Sequence, residues 1–165
     1  MIIRKLQRCD LETRVLWMNN PKIYSNMHFE VPILIDKTHQ WYELNLAKKT
    51  RLDLTVLEDD AIVAFGGFTP IDYGVKKAEI YLFADPIHLH KGIGTRANKL
   101  ICKYGFEQLG LNKLYSLINE DNYASIRVHE KCGFKLEGRL RQEYIKRGQK
   151  LDRLYYGLLK DEYVE

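Results

Sequence analysis

Apolar positions along the chain recur with two different spacings, and the shorter spacing predicts strands. Apolar runs at 52–58 and 62–69 flank the acidic pair Asp59-Asp60, which is the pattern of a β-hairpin. Further strands are predicted at 2–6, 76–83, 114–118, 134–145 and 151–159. The last two flank a Lys-Arg-Gly-Gln turn and are therefore predicted to form a second hairpin.

The longer, helical spacing is clearest in the second half of the chain. It predicts a helix over Gly92–Leu109, ended by Gly110, and a second helix over Asn122–Lys131, closed by Gly133. The apolar residues that define the first of these helices are Ile93, Ala97, Leu100, Ile101 and Tyr104. Each helix is preceded by a predicted strand, as in a β-α-β-α arrangement.

Two further helices are predicted near the N-terminus. Asp10 is placed to cap a helix that ends at Pro21, and Asp36 or Thr38 to cap one that runs through Leu46. The segment 22–36 between them reads as irregular. The order of all these elements predicts an α/β (α+β) fold in which a mixed, largely antiparallel sheet is flanked by helices.

Composition narrows the class of protein. The 165 residues suit a single domain, 1–165, and the net charge of +4 is too small to indicate a nucleic-acid partner, although it suits an anionic small molecule. Cys9, Cys102 and Cys132 form no metal-binding spacing, so we expect no metal site and a reducing, cytoplasmic location. No apolar run predicts a signal peptide or a membrane span.

The sequence Gly92-Ile93-Gly94 is the main candidate for a binding site. At the start of a helix, two glycines let backbone amides and the positive end of the helix dipole approach a phosphate, and Lys91 adds charge. A Walker loop is absent. A dinucleotide fingerprint is matched on paper by Gly92, Gly94 and Ala97, but it requires a strand directly before the glycines. A helix start without a ligand remains the third interpretation.

Two motifs in order resemble the GNAT superfamily of acetyl-CoA-dependent N-acetyltransferases. The segment Leu89-His90-Lys91-Gly92-Ile93-Gly94-Thr95 is similar to the family's pyrophosphate loop, with Leu89 in place of its usual Gln or Arg. Downstream, the segments Asn119–Ser125 and Arg127–Phe134 resemble its second signature, an Asn-led helix that ends in EKxGF. The likeness covers roughly residues 52–159.

The resemblance implies a GNAT fold of about seven strands, in which the sheet splays and acetyl-CoA lies between strands four and five. It implies cofactor contacts from backbone groups near Leu82, Phe83 and Ala84, from the loop 89–95, and from Asn122 and Ser125. It also places His129 where many relatives have a Tyr that protonates the thiolate, and Glu79 where relatives have an acid that acts as a base through water.

The acceptor is expected to be a small primary amine. Trp17, Asn19, His39 and Trp41 resemble the acceptor region of bacterial amino-sugar-nucleotide N-acetyltransferases, which makes an amino sugar the first hypothesis. The C-terminal half is also similar to spermidine and ribosomal-protein N-acetyltransferases. A polyamine is the second hypothesis. A polyamine site should show clustered carboxylates, whereas the acids of the N-terminal half are scattered. A catalytically silent acyl-CoA-binding module is the alternative from another class, and the resemblance also allows a homodimer.

Overall fold

The computed structural model describes residues 1–89, 91–146 and 148–164, and within them seven strands form one sheet. The strands are β1 (Ile2–Lys5), β2 (Leu52–Glu58), β3 (Ala61–Asp72), β4 (Lys77–Ala84), β5 (Lys113–Asn119), β6 (Lys135–Lys146) and β7 (Gln149–Leu159). Their spatial order is β1-β2-β3-β4-β5-β7-β6, and only the central pair, β4 and β5, is parallel. The predicted mixed, largely antiparallel sheet is confirmed.

Helices cover both faces of this sheet. They are α1 (Leu11–Met18), α2 (Pro21–Tyr24), α3 (Ile35–Leu46), α4 (Ile93–Lys103) and α5 (Tyr123–Lys131). Side chains alternate along β4, so Ile80 enters a core cluster with Ile101 of α4, while Tyr81 and Phe83 join a cluster with Trp17 of α1. The N-terminal helices and the α4–α5 pair therefore lie on opposite faces.

The N-terminal half departs from the prediction at two helix starts. The segment predicted to be irregular contains α2, because the Asn20 side chain accepts a hydrogen bond from the Lys22 N–H at 3.0 Å and Pro21 stands at the first helical position. The caps predicted for the next helix are wrong: α3 begins at Ile35, and the Thr38 hydroxyl donates back to the Leu34 carbonyl at 2.9 Å.

Asp10 was predicted as a helix cap, and its side chain instead forms a buried charge network. The carboxylate is 2% exposed and accepts two hydrogen bonds from Arg4, at 2.6 and 2.8 Å. The Gln7 N–H and the Thr55 hydroxyl also donate to it, at 2.9 and 2.8 Å. Burial raises the pKa of Asp10, but these hydrogen bonds outweigh it and hold the pKa below its usual value. The network ties β1 and β2 to the start of α1.

Replacing Asp10 tests this role. Asp10→Asn is expected to lower the free energy of unfolding at neutral pH by about 2 kcal/mol, because Arg4 loses its charged acceptor. Since the folded pKa is depressed, the stabilisation is complete above the unfolded pKa and is lost as the pH falls through the folded value. Urea unfolding curves of the two proteins should therefore converge on acidification. The exposed Asp161→Asn is the control, and a constant difference at all pH values would contradict the charge network.

Candidate active site

A cavity of about 840 Å³ opens where β4 and β5 separate. Their parallel pairing comprises three residue pairs and ends at Glu79 and Tyr115. Beyond that point β4 continues to pair with β3 as far as Ala84, and β5 with β7 as far as Asn119. Each strand therefore presents an unpaired edge to the cavity, and the backbone donors and acceptors on it need partners.

The carbonyl of Leu117 is satisfied by a side chain instead of by a strand. It accepts a hydrogen bond from Nη2 of Arg153 at 2.9 Å. Arg153 and Glu79 carry opposite charges and line the cavity together. The wider part of the gap is left open.

Glu79 has the electrostatic environment of a proton acceptor. Burial raises the pKa of its carboxyl group, while Arg153 and the Leu117 N–H lower it, and the balance leaves the pKa above its usual value. A carboxylate with a raised pKa is a stronger base at neutral pH than an exposed one. The sequence-based placement of Glu79 beside the reaction site agrees with its position in the cavity wall.

The start of α4 provides an anion-binding end to the cavity. Gly92 is the N-cap with φ 75°, and an added Cβ there would meet no atom within 4 Å, so the backbone is open to a ligand. Gly94 lines the cavity, and Lys91 is exposed beside it. The first amides of this 11-residue helix lack intrahelical acceptors and carry the positive end of its dipole.

The other residues predicted to hold the cofactor fall into two groups. Leu82, Phe83 and Ala84 on β4, and Asn122 and Ser125 at the start of α5, line the cavity. In the loop, Leu89 and Thr95 are partly exposed, the Ile93 side chain is buried in the core, and His90 lies outside the described residues. The backbone of this loop, more than its side chains, is therefore suited to bind a phosphate.

His129 is buried at the thiol end predicted for the cofactor. Its Nδ1 lies 2.8 Å from the carbonyl oxygen of Ser125, which can only accept, so Nδ1 carries the proton. Burial lowers the pKa of His129 to about 4. The ring is therefore neutral at physiological pH. Its Nε2 has a free lone pair, since no hydrogen-bond partner for it is present in the described part of the chain.

The lining residues from Arg14 to Arg51 come from α1–α3, the segments between these helices and the loop before β2. We call this surface the N-terminal wall. Asp53 is the centre of its polar network. It accepts hydrogen bonds from Arg51 at 2.8 and 2.9 Å and from the Tyr81 hydroxyl. Burial raises the pKa of Tyr81, so the phenol stays neutral.

Arg14 is incompletely paired in this network. Its side chain is 5% exposed, and its Nη2 lies 3.4 Å from the Tyr81 hydroxyl and 3.9 Å from Asp53. Within the described residues Nη1 has no hydrogen-bond partner. Four aromatic rings surround the guanidinium, with the Phe83 centroid at 5.1 Å. Such contacts contribute about 0.5–2 kcal/mol, whereas burying an unpaired charge costs several kcal/mol.

Asn19 fixes the irregular segment that completes the N-terminal wall. Its side-chain amide donates to the Ile33 carbonyl at 2.9 Å and accepts from the Ile33 N–H at 2.8 Å. The side chain thus pairs with one peptide as a neighbouring strand would. Met27, His28 and Phe29, which precede Ile33, line the cavity.

Of the four residues predicted to bind the acceptor, Trp41 lines the cavity. The other three have different surroundings. Trp17 is 7% exposed and packs edge-on against Phe65 at 5.2 Å, as a core residue does. Both functional atoms of the Asn19 amide are bonded to Ile33, and His39 is not among the residues that line the cavity. The structure therefore does not support Trp17, Asn19 or His39 as contacts of the acceptor.

Sequence reasoning missed several residues of the cavity wall and the carboxylate that pairs with them. Arg14, Arg51, Tyr81 and Arg153 line the cavity, and Asp53 pairs with Arg51. These five residues come from four separate elements and from the loop before β2, and no local motif connects them. One signal was present, because Arg14 lies on α1 in the turn before Trp17 and would share its buried face. A charged residue on an apolar helix face indicates a buried partner.

Other chemistries find little support in the described ranges. No group of three or more His, Cys, Asp or Glu side chains there could hold a metal ion. Burial raises the pKa of the Cys102 and Cys132 thiols, which disfavours a reactive thiolate. Among the described helices, none has the length and apolar character needed to cross a membrane.

Comparison with known proteins assigns the family. The family model described as an acetyltransferase (GNAT) domain matches residues 1–135. The chain belongs to the GNAT acetyltransferase family. The resemblance seen in the two glycine-containing motifs is thus confirmed. The predicted cofactor, acetyl-CoA, is the one that this family uses.

Several relatives carry the name spermidine N(1)-acetyltransferase. The Escherichia coli K12 protein is 33% identical over 94 residues, which are 57% of this chain and 50% of that protein, so the match spans about half its length. The Vibrio cholerae protein is 26% identical over 99% of this chain and 95% of that protein. The Bacillus licheniformis uncharacterized N-acetyltransferase p20 is 27% identical over 99% of this chain and 95% of that protein.

A solved structure supports the fold. The Vibrio cholerae spermidine N-acetyltransferase in complex with CoA and spermine has a TM-score of 0.93 and 24% identity, and the match covers 99% of this chain and 98% of that chain. At that identity the likeness establishes the GNAT fold and not the substrate.

Gly94 offers a direct test of the phosphate end of the site. An added Cβ would lie 3.5 Å from Cγ2 of Val128, an ordinary contact, so Gly94→Val should fold. Its branched side chain would cover the amides at the start of α4 and should raise the dissociation constant of coenzyme A about tenfold, measured by calorimetry. Gly138→Val, on exposed β6 with open space around its Cβ, is the control. Unchanged affinity in a folded Gly94→Val protein would refute this assignment.

Proposed function

We propose that the protein transfers the acetyl group of acetyl-CoA to a primary amine. The observation that carries this proposal is the gap between β4 and β5, which has the unpaired α4 amides at one end and Glu79 with His129 in its wall. An elongated ligand with a phosphate group and a peptide-like arm fits a cavity of this composition. Family membership supports the same reading.

The residues present fit acetyl-CoA at both of its ends. The start of α4 and Lys91 are suited to the pyrophosphate, and the unpaired edge of Leu82–Ala84 offers backbone groups to the amides of the pantetheine arm. When bound, the cofactor supplies an activated thioester. The protein then has to deprotonate the amine, hold it close to the thioester and exclude water.

Glu79 is the proposed proton acceptor. An ammonium group that enters the cavity carries a proton which must leave before nitrogen can attack, and the ionised Glu79 carboxylate can take it directly or through water. Arg153 stabilises the ionised form, and burial strengthens it as a base. The Leu117 carbonyl holds Nη2 of this guanidinium at 2.9 Å.

His129 has a more limited proposed role. Because its ring is neutral at physiological pH, it cannot enter the reaction as an acid. Its Nε2 can accept a proton from the reacting amine and pass it to the leaving sulfur, and the Ser125 carbonyl holds the ring in the required tautomer. The predicted acid is thereby revised to a relay.

Two observations bear on the chemical class of the acceptor, and they disagree. The names of the relatives favour a polyamine over the amino sugar that the sequence put first. The excess of Arg and Lys on the N-terminal wall favours an anionic molecule. A silent acyl-CoA-binding module stays the alternative if no amine is acetylated.

Thiol release from acetyl-CoA in the presence of an amine panel tests the proposal. We expect turnover with at least one amine and a loss of about 100-fold or more in kcat/KM in Glu79→Gln. Because the pKa of Glu79 is raised, wild-type kcat/KM should fall as the pH drops through that pKa, and Glu79→Gln should lack this limb. The exposed Glu12→Gln is the matched control. Binding of acetyl-CoA without thiol release on any amine would favour the silent module.

His129→Phe and His129→Tyr form a matched pair that differs in one hydroxyl group. We expect kcat to fall at least about tenfold in His129→Phe, with little change in the dissociation constant of acetyl-CoA, because the lone pair is lost while the ring volume remains. His129→Tyr should retain more activity, since the hydroxyl can exchange a proton with the sulfur. Wild-type kcat in His129→Phe would remove His129 from the mechanism.

A further inference from the structure

Resting on the function proposed above, we propose that the acceptor amine carries a phosphate or carboxylate group, which binds to Arg14 and Arg51 beside Trp41 on the N-terminal wall. The site would then recognise an anionic amine, with the reacting nitrogen near Glu79. This acceptor differs in charge from the polyamine in the names of the relatives.

Arg14 is the first argument for an absent anion. It is buried, it lines the cavity, and Nη1 has no hydrogen-bond partner in the described part of the chain. Asp53, the nearest carboxylate, already accepts two hydrogen bonds from Arg51 and one from Tyr81. One carboxylate therefore serves two guanidinium groups, and the cluster keeps a net positive charge. A ligand anion would complete the pairing.

Arg51 and Trp41 define the geometry of the proposed anion site. The Arg51 guanidinium lies 4.9 Å from the Trp41 ring centroid, and its side chain is 22% exposed. Arg14 lies 5.4 Å from the same ring. The indole thus contacts both cations and supplies a flat apolar surface next to them, which suits a sugar or a base attached to the anionic group.

The rest of the N-terminal wall has the same sign of charge. Four basic side chains line it, Arg14, Lys22, Lys37 and Arg51, against the carboxylate of Glu30 in the lining and that of Asp53, which pairs with Arg51. Lys22 donates to the Pro86 carbonyl at 3.2 Å, and among the described residues it forms no ion pair with an acid. A polycation would meet repulsion along this surface, whereas an anion is attracted to it.

His28 lies on the same wall, and its pKa responds to burial and to nearby positive charges. Burial lowers its pKa to about 4, and the positive charges of Arg153 and Lys146 contribute to the decrease. The two cations that act on His28 stand on β6 and β7, outside the N-terminal wall.

The spacing along β4 relates the anion site to the reaction site. Tyr81, which contacts Arg14, is two residues after Glu79 and points to the same face of the sheet. Two residues span about 7 Å of strand. The anionic group and the reacting amine can therefore belong to one small molecule.

Small primary amines that carry a neutral, an anionic or a cationic second group test the inference. The probes are ethanolamine, O-phosphoethanolamine, β-alanine and putrescine, with glucosamine and UDP-glucosamine as a larger pair. We expect kcat/KM of at least one anionic amine to exceed that of its neutral counterpart about tenfold or more, and putrescine to be the poorest. Comparison of O-phosphoethanolamine with β-alanine shows whether a phosphate or a carboxylate is the group that is recognised.

Arg51→Gln is the main variant, because Arg51 is partly exposed and should be replaceable without unfolding, whereas the buried Arg14 is not. It should abolish most of the preference for the anionic amine, and Lys37→Gln should weaken it. Arg8→Gln is the control, since Arg8 is an exposed residue paired with exposed Glu43.

Calorimetric titration of the CoA-saturated protein with O-phosphoethanolamine, β-alanine and UDP-glucosamine provides a readout that does not need turnover. Binding weakened by Arg51→Gln and unchanged by Arg8→Gln supports the inference even if the correct acceptor is not in the panel. Preferred acetylation of putrescine or spermidine, with no effect of Arg51→Gln, overturns it and leaves the acetyltransferase proposal intact. Absence of CoA binding and of thiol release overturns the proposed function instead.

Discussion

The end of the β4–β5 pairing at Glu79 and Tyr115 is the constraint on which the site depends. Strands β3 and β7 hold the outer edges of β4 and β5, so the two central strands diverge while remaining in one sheet. The divergence exposes backbone groups that an uninterrupted sheet would pair. At Leu117 the carbonyl is satisfied by Arg153, and along the rest of the gap the chain leaves such groups for a ligand. The wall that carries Glu79 and the binding edge thus have the same structural origin.

The two sides of the cavity have different relations to the fold. The gap, the start of α4 and the start of α5 follow from the sheet and from short motifs, and proteins with this fold share them. The N-terminal wall is built by α1–α3 and the segment between α2 and α3, where side chains can change without altering the sheet. Because this wall carries an excess of Arg and Lys, the names of relatives at 26–33% identity are a weak guide to the acceptor.

Local patterns were sufficient to predict which segments form the proposed cofactor side, and they were insufficient for the acceptor side. The Gly92-Ile93-Gly94 loop and the Asn122 helix start are each contiguous in sequence. Asp10 resembled a helix cap because it stands directly before a helical segment, whereas its partner Thr55 is 45 residues away. Trp17 resembled an acceptor contact although its position on α1 directs it to Phe65. The Arg14–Asp53–Arg51 network required the strand order, which no local pattern contains.

The way in which Asn19 holds Ile33 has a consequence for how this family diversifies. Because the amide pairs with a peptide group and not with a side chain, it imposes a path on the segment without imposing a sequence. The anchor at Ile33 does not depend on the side chains of residues 26–30 that face the cavity. A substitution of a cavity-facing side chain in this segment can therefore change the acceptor preference without releasing the segment at Ile33.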